Sequence, residues 1–191
     1  MTEQCTDLTG KILIAMPGML DPRFERSVVL ICAHSAEGTM GLVLNRPLPE
    51  IGFRDLLGQL GIDTDDRTRG IEVRFGGPVE PGRGFVLHRV PEGGGDVDGT
   101  MRIGSHLAMT TTRDILEDLA QGNGPGDAVL ALGYAGWGPG QLDDEMLANG
   151  WLTGEGADDL IFGHDNQGKW NAALRAQGVD PSLLSAAAGR A

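Results

Sequence analysis

The sequence predicts an α+β fold with a bent, mostly antiparallel sheet. Short apolar segments are interleaved with helical periods, but the regular strand–helix–strand repeat of a parallel sheet does not occur. Two neighbouring apolar segments, 27–34 and 40–45, are separated by a tight turn, which predicts a hairpin. Glycine accounts for 31 of the 191 residues and interrupts the apolar segments, as expected for a sheet with many turns and bends.

The N-terminal part is predicted to contain three strands and one helical turn. The first strand is residues 11–15, which are mainly apolar. The segment 21–25 begins with a capping aspartate followed by proline, which predicts one short helical turn. Residues 27–34 are apolar on both faces and predict a central strand covered on both sides. The strand 40–45 pairs back on it and ends before Pro47, because proline lacks the N–H that a ladder needs.

The remaining elements follow from spacing and from breakers. Apolar residues at 53, 56, 57 and 60 follow the helical period, so 53–60 is predicted to be a helix that Gly61 ends. By the same criteria we expect further strands at 71–75, 84–89, 100–104, 128–132 and 151–152, a short apolar segment at 160–162, helices at 112–121, 139–149 and 170–176, and a last helical turn at 180–184.

Composition restricts the class of protein. The longest apolar run, residues 28–33, is far shorter than the roughly 20 residues that span a bilayer, so no membrane partner is expected. No export signal is visible, and two cysteines, Cys5 and Cys32, do not make a disulfide framework, so we expect a cytoplasmic protein. Residues 1–10 are predicted to be a flexible tail, and 11–191 one domain.

The net charge of −12 makes nucleic acid an unlikely partner. A protein that neutralises DNA phosphates normally presents a basic face, and here the 15 basic residues are scattered.

The segment 133–145 is the most distinctive one in the chain. It combines four glycines with Tyr134 and Trp137, and Pro139 predicts the start of a helix. Backbone N–H groups near Gly138, Gly140 and Gln141 would then form an anion site with Trp137 as a stacking face. The negative charges of the three acidic residues at 143–145 would repel an anion bound there. The alternative is an architectural role, in which the glycines permit a close strand-to-helix crossing and the two aromatic side chains fill the core.

A second candidate lies at Asn45 and Arg46, at the end of a predicted strand. The guanidinium fork suits a carboxylate or phosphate ligand, while the alternative is a structural ion pair with Glu25 or Asp143. The predicted ligand-binding surface therefore comprises Asn45, Arg46, Tyr134, Trp137, Gly138, Gly140 and Gln141.

No catalytic residue, metal site or cofactor is predicted. Cys32 and His34 share one face of a strand, but no further ligand accompanies them, and a buried core cysteine is the preferred interpretation. The phosphate-binding loop, serine-esterase and zinc-peptidase motifs do not occur in the sequence.

Several blocks of the sequence, in a fixed order, resemble the YqgE/AlgH family. They are residues 16–17, 21–29, 40–47, 76–79, 83–88 and 133–142, with Trp170 and 178–181 in the tail. The resemblance implies a bacterial cytoplasmic protein with a barrel-like sheet flanked by helices. The family has no established activity, and its name carries an association with transcriptional regulation of alginate production.

Three functions are considered. The first is a regulatory or binding module with a small molecule or a protein as its partner. The second is an enzyme that uses Arg46 with a nearby carboxylate. The third, direct DNA binding, is less favoured, because the nearest helix pair is acidic at Asp114, Glu117 and Asp118.

Overall fold

The computed structural model describes residues 6–91, 93, 95 and 97–184. Within these residues the strands are β1 Lys11–Ala15, β2 Val28–Ser35, β3 Gly38–Val43, β4 Glu72–Phe75, β5 Val79–Arg89, β6 Thr100–Ile103, β7 Leu107–Thr110, β8 Ala128–Trp137 and β9 Trp151–Glu155. The helices are α1 Phe53–Gln59, α2 Arg113–Ala120, α3 Gln141–Leu147, α4 Asp158–Phe162 and α5 Lys169–Ala176, followed by a 3-10 turn at Pro181–Leu183.

One curled sheet contains all of these strands. Its order is β6-β7-β5-β8-β3-β2-β1-β9, and β4 pairs with β8 beside this path. The β4–β8 pair is parallel and the other pairs are antiparallel. The prediction of an α+β fold with a bent, mostly antiparallel, barrel-like sheet flanked by helices is confirmed.

The sheet carries apolar clusters on both faces. In β1, Ile12 and Ile14 belong to the cluster with α4 and α5, whereas Leu13 and Ala15 belong to the cluster with α3. A third cluster lies under α1 and α2. Strand β2 alternates in the same way and is buried from Val28 to Cys32, so the predicted central strand with two covered faces is confirmed.

Strand β8 runs five residues further than predicted. It was expected to end at Leu132, but Tyr134 pairs with Val79, and Trp137 pairs with Thr39. The glycines in this region allow neighbouring strands to approach closely, and they do not form a loop. A Cβ atom at Gly77 would overlap the Tyr134 carbonyl group.

The helix predicted at 139–149 begins at Gln141, so Pro139 does not occupy its first position. Gly140 is the cap residue and has φ 72°, a left-handed conformation that a right-handed helix cannot include. The strand β7 was not predicted, because its four residues are buried on both faces and follow β6 after a short turn. The turn at 21–25 closes with hydrogen bonds from Phe24 and Glu25 N–H groups to the Asp21 carbonyl, as a single turn without a helix.

Part of the predicted N-terminal tail lies within the described residues. Residues 1–5, including Cys5, lie outside them. Leu8 packs against the cluster that contains Leu13, and the Gly10 N–H donates to the Ile31 carbonyl. The end of the tail is thus attached to the sheet.

Candidate functional site

A concave cleft of about 450 Å³ lies where the turn 21–26, the chain after β3 and the start of α5 meet. We call it the arginine cleft. Its lining consists of Glu25, Arg26, Asn45, Arg46, Asn166, Gln167, Trp170 and Asn171. The structure therefore places two of the predicted ligand-binding residues, Asn45 and Arg46, in one cleft.

Asn45 holds the turn against the sheet. Its Oδ1 accepts the Val28 N–H at 2.9 Å, and its Nδ2 donates to the Arg26 carbonyl at 2.9 Å. Arg26 has φ 53°, which is uncommon for a residue other than glycine and marks a constrained position. The asparagine thus fixes the place from which the Arg26 side chain reaches the cleft.

Arg46 is anchored by backbone carbonyls rather than by a carboxylate. Its Nη2 donates to the carbonyls of Pro22 and Glu25, each at 3.0 Å. The ion pair considered with Glu25 or Asp143 is not formed, since no carboxylate oxygen of the described residues lies within 4 Å of this guanidinium. These two bonds leave Nε and Nη1 as further donors.

Arg26 also lacks a carboxylate partner in the described part of the chain. Its guanidinium carbon lies 5.3 Å from the centre of the Trp170 ring, in a cation–π contact. Trp170 is buried and its indole N–H donates to the Ala15 carbonyl at 2.8 Å, so the ring is a fixed platform. The cleft lining contains two guanidiniums and one carboxylate, that of Glu25, so the cleft is locally positive in a chain with 27 acidic residues.

Behind the cleft lies a buried polar network. Arg74 is only 1% exposed, and its Nε and Nη2 donate to one oxygen of Glu72 at 2.8 and 2.6 Å. The same guanidinium donates to the carbonyls of Ile161 and Gly163 at 2.6 and 3.0 Å, which ties the end of α4 to β4. The other Glu72 oxygen accepts from the Asn166 side chain. Asn166 is therefore both a member of the network and part of the cleft wall.

Lys169 completes the network and is 3% exposed. Its Nζ donates to the Leu44 carbonyl at 3.2 Å and to Asn166 Oδ1 at 2.9 Å. Burial, and then the charge of Arg74, lower the pKa of Lys169 from 10.5 to about 7. The amine is therefore poised between its neutral and charged forms at neutral pH.

The sequence interpretation missed Arg26 and the whole network. A signal was available for part of it, because Glu72 and Arg74 are two residues apart in a strand and must share one face. On a strand whose faces are covered by other elements, an acidic and a basic residue on the same face predict a buried ion pair.

The other predicted ligand-binding residues lie elsewhere. Tyr134 and Trp137 border a shallower depression of about 450 Å³, which Asn45 and Arg46 do not line. Trp137 is 6% exposed, and its ring contacts Phe24 and Trp151. Its stacking faces are thus occupied within the protein.

The polar groups of the 137–145 segment are also used internally. Glu145 Oε2 accepts the indole N–H groups of Trp137 and Trp151 at 2.9 and 2.8 Å. Gln141 accepts the Gly138 N–H at 3.0 Å and donates to Glu145 Oε1 at 2.9 Å. These contacts agree with the architectural alternative for this segment.

Cys32 behaves as a core residue. It is 1% exposed, and burial raises the pKa of its thiol to about 12, so the thiolate is not formed at neutral pH. His34 Nδ1 lies 2.7 Å from Thr39 Oγ1. Among the residues that the structure describes, no three histidine, cysteine or acidic side chains are grouped so that they could hold a metal ion.

None of the helices in the described ranges is long and apolar enough to cross a membrane.

Comparison with known proteins places the whole chain in one group. A family model described as AlgH-like matches residues 12–182. A protein of Paracoccus denitrificans named only as a UPF0301 protein is 65% identical over 99% of this chain and 100% of its own length. A UPF0301 protein of Cereibacter sphaeroides is 54% identical over 97% of this chain and 100% of its own length.

Two solved structures are similar. The solution structure of the AlgH protein from Pseudomonas aeruginosa has a TM-score of 0.78 and 39% identity, and the match covers 100% of both chains. A crystal structure of a protein from Corynebacterium diphtheriae has a TM-score of 0.71 at 22% identity, covering 87% of this chain and 85% of that one, and supports the fold alone.

Proposed function

The chain belongs to the AlgH-like family, and we propose that it is a regulatory binding module of the bacterial cytoplasm whose arginine cleft takes a small molecule. The observation that carries the proposal is the pair Arg26 and Arg46. Both line one concave surface, and neither has a carboxylate partner among the described residues. Two guanidiniums that line one cleft without a carboxylate partner have N–H donors available for a ligand.

The surroundings of the pair support a small, polar ligand. The remaining lining includes three amide side chains besides Asn45, namely Asn166, Gln167 and Asn171, and a volume of about 450 Å³ suits a metabolite rather than a polymer. Asn45 and the Trp170 platform hold the cleft in shape without a ligand.

Catalysis in the same cleft is the second candidate function. It is favoured by Glu25, which lines the cleft beside Arg46 and offers a carboxylate to a substrate. In the present arrangement Arg46 contacts only the main chain of Glu25, so we rank catalysis below binding.

The experiment compares two single tryptophan substitutions on α5. Asn171→Trp fills the cleft, whereas Ala172→Trp adds the same ring one residue along on the exposed surface. A metabolite library is screened for a rise in Tm. A ligand at about 100 times its Kd stabilises the native state by about 2.7 kcal/mol, which is a rise of roughly 5–10 °C for a protein of this size.

We expect metabolites that stabilise the wild type and Ala172→Trp but not Asn171→Trp. If the stabilising metabolites act equally on both variants, their site lies elsewhere and the proposal is wrong.

A further inference from the structure

Resting on the proposed function, we infer that the ligand of the arginine cleft carries an oxyanion, a carboxylate or a phosphate group, and that Lys169 takes up a proton when this anion binds.

The first part follows from the donors that face the cleft. Arg46 keeps Nε and Nη1 after its two bonds to main-chain carbonyls. Among the described residues, the Arg26 guanidinium makes only the contact with the Trp170 ring. A planar guanidinium with free N–H groups matches the paired oxygens of a carboxylate or phosphate. The ligand oxyanion would supply the acceptor that the described residues do not provide.

The acids near the cleft limit its positive charge without cancelling it. Asp21 has a lowered carboxyl pKa chiefly because the Arg23 side chain donates to its oxygens, with one N–O distance of 2.7 Å, and to a smaller extent because of the charge of Arg46. Glu25 lines the cleft and makes no ion pair with a described residue. An anionic ligand therefore meets two guanidiniums and one carboxylate.

The second part follows from the hydrogen bonds of Lys169. A neutral amine has two N–H groups, and both acceptors within reach, the Leu44 carbonyl and Asn166 Oδ1, can be served by them. The third N–H of an ammonium has no acceptor among the described residues, and the side chain is 3% exposed. The charged groups that face it are Glu72 and Arg74 on β4, and Asp165 before α5.

Asn166 couples the two sites. Its side chain lines the cleft and accepts from Lys169, so a ligand against Asn166 lies one side chain away from the amine. A unit negative charge about 7 Å from the nitrogen, at an effective dielectric constant of about 20, raises the proton-binding constant of the amine by roughly fiftyfold. The proton comes from solvent and binds the lone pair of the Lys169 amine, and no other covalent bond is made or broken.

The test uses the fact that the chain has two lysines, Lys11 and Lys169. The full chain labelled with carbon-13 at lysine Cε gives one signal for each, and the Cε shift reports the protonation of the attached amine. Inorganic phosphate and citrate are titrated in separate arms at pH 8. Lys11, which lies on β1 and forms an ion pair with Glu155, is the internal reference. Glycerol is the uncharged probe.

We expect saturable movement of the Lys169 signal towards its low-pH position with phosphate, with citrate or with both, and none with glycerol. The arm that saturates identifies the oxyanion. Arg26→Gln should weaken the apparent affinity by roughly tenfold, whereas Arg175→Gln, which removes the same charge from the exposed end of α5, should leave it unchanged.

Three results overturn the inference: no saturable movement with either anion, binding that leaves the Lys169 signal in place, or equal weakening by both arginine variants, which would mean diffuse charge attraction. A neutral metabolite that stabilises Ala172→Trp but not Asn171→Trp would leave the proposed function intact while the oxyanion inference fails. The two failures are therefore distinguishable.

Discussion

Replacing Lys169 by methionine should change how stability depends on pH. The folded chain holds the pKa of Lys169 at about 7, against 10.5 for a free side chain, so the unfolded chain binds more protons between these values. The free energy of unfolding contributed by this residue must therefore rise with pH across this window. Below about pH 7 both states are protonated, and the destabilisation by the buried charge is complete.

The magnitude follows from the same shift. The slope approaches about 1.4 kcal/mol per pH unit where this lysine is protonated in the unfolded chain and neutral in the folded chain. Between pH 7 and pH 10 we expect the free energy of unfolding of the wild type to rise by about 3–4 kcal/mol relative to that of Lys169→Met. At pH 7 the two proteins should be close, because methionine removes the buried charge but leaves Leu44 O and Asn166 Oδ1 without their donor.

Urea unfolding followed by tryptophan fluorescence at half-unit pH steps measures this difference. Lys11→Met is the matched control, because it removes the second lysine of the chain from a site that is 39% exposed. A constant difference between the wild type and Lys169→Met over the whole range would refute the argument from burial.

Three further predictions concern other parts of the structure. Glu145→Leu leaves two indole N–H groups without their acceptor and should lower the free energy of unfolding by about 2–4 kcal/mol; a loss within error in urea titrations would contradict the assigned contacts. Gly77→Ala should cost about 3 kcal/mol or more because its Cβ overlaps the β8 main chain. Gly82→Ala, which has open space, should stay within about 1 kcal/mol, and equal costs would argue against close packing at Gly77. In a Cys5→Ser chain at pH 8, Cys32 should react with a thiol reagent only after unfolding, because it is buried and its thiol pKa is about 12; rapid native labelling would show that the site opens.

The sheet was predictable where periodicity alone decides the structure. The strands within 11–15 and 27–34 are evident because residues 12–15 and 28–32 each face an apolar cluster on one side of the sheet or the other. The end of β8 was not predictable in this way. Glycines in the sequence read as a loop, and only the pairing of Tyr134 with Val79 shows that they allow strands to approach closely.

The candidate site was predicted in part. Arg46 and Asn45 were identified because polar residues at a strand end commonly serve a site. The place of Arg26 in the cleft depends on its left-handed backbone conformation and on its contact with the Trp170 ring, which lies far along the chain. No local sequence pattern indicates either feature. Lys169 begins a helix, where a lysine is normally solvated, and its burial arises only from its packing against the chain after β3.

The segment around Trp137 shows the opposite outcome. Its residue types allowed either a binding surface or an architectural crossing, and Glu145 and Gln141 accept the Trp137 indole and Gly138 N–H groups within the protein. Side-chain hydrogen bonds over three to eight residues distinguish a structural role from a ligand site, and residue composition alone does not contain that information.

Mapping backbone amide NMR shifts on titration with the metabolite that stabilises the wild type most tests the central claim most directly. Binding in the arginine cleft predicts that the largest changes fall at residues 25–26, 45–46 and 166–171. Changes centred on residues 134–141, with the arginine cleft unaffected, would contradict the assignment.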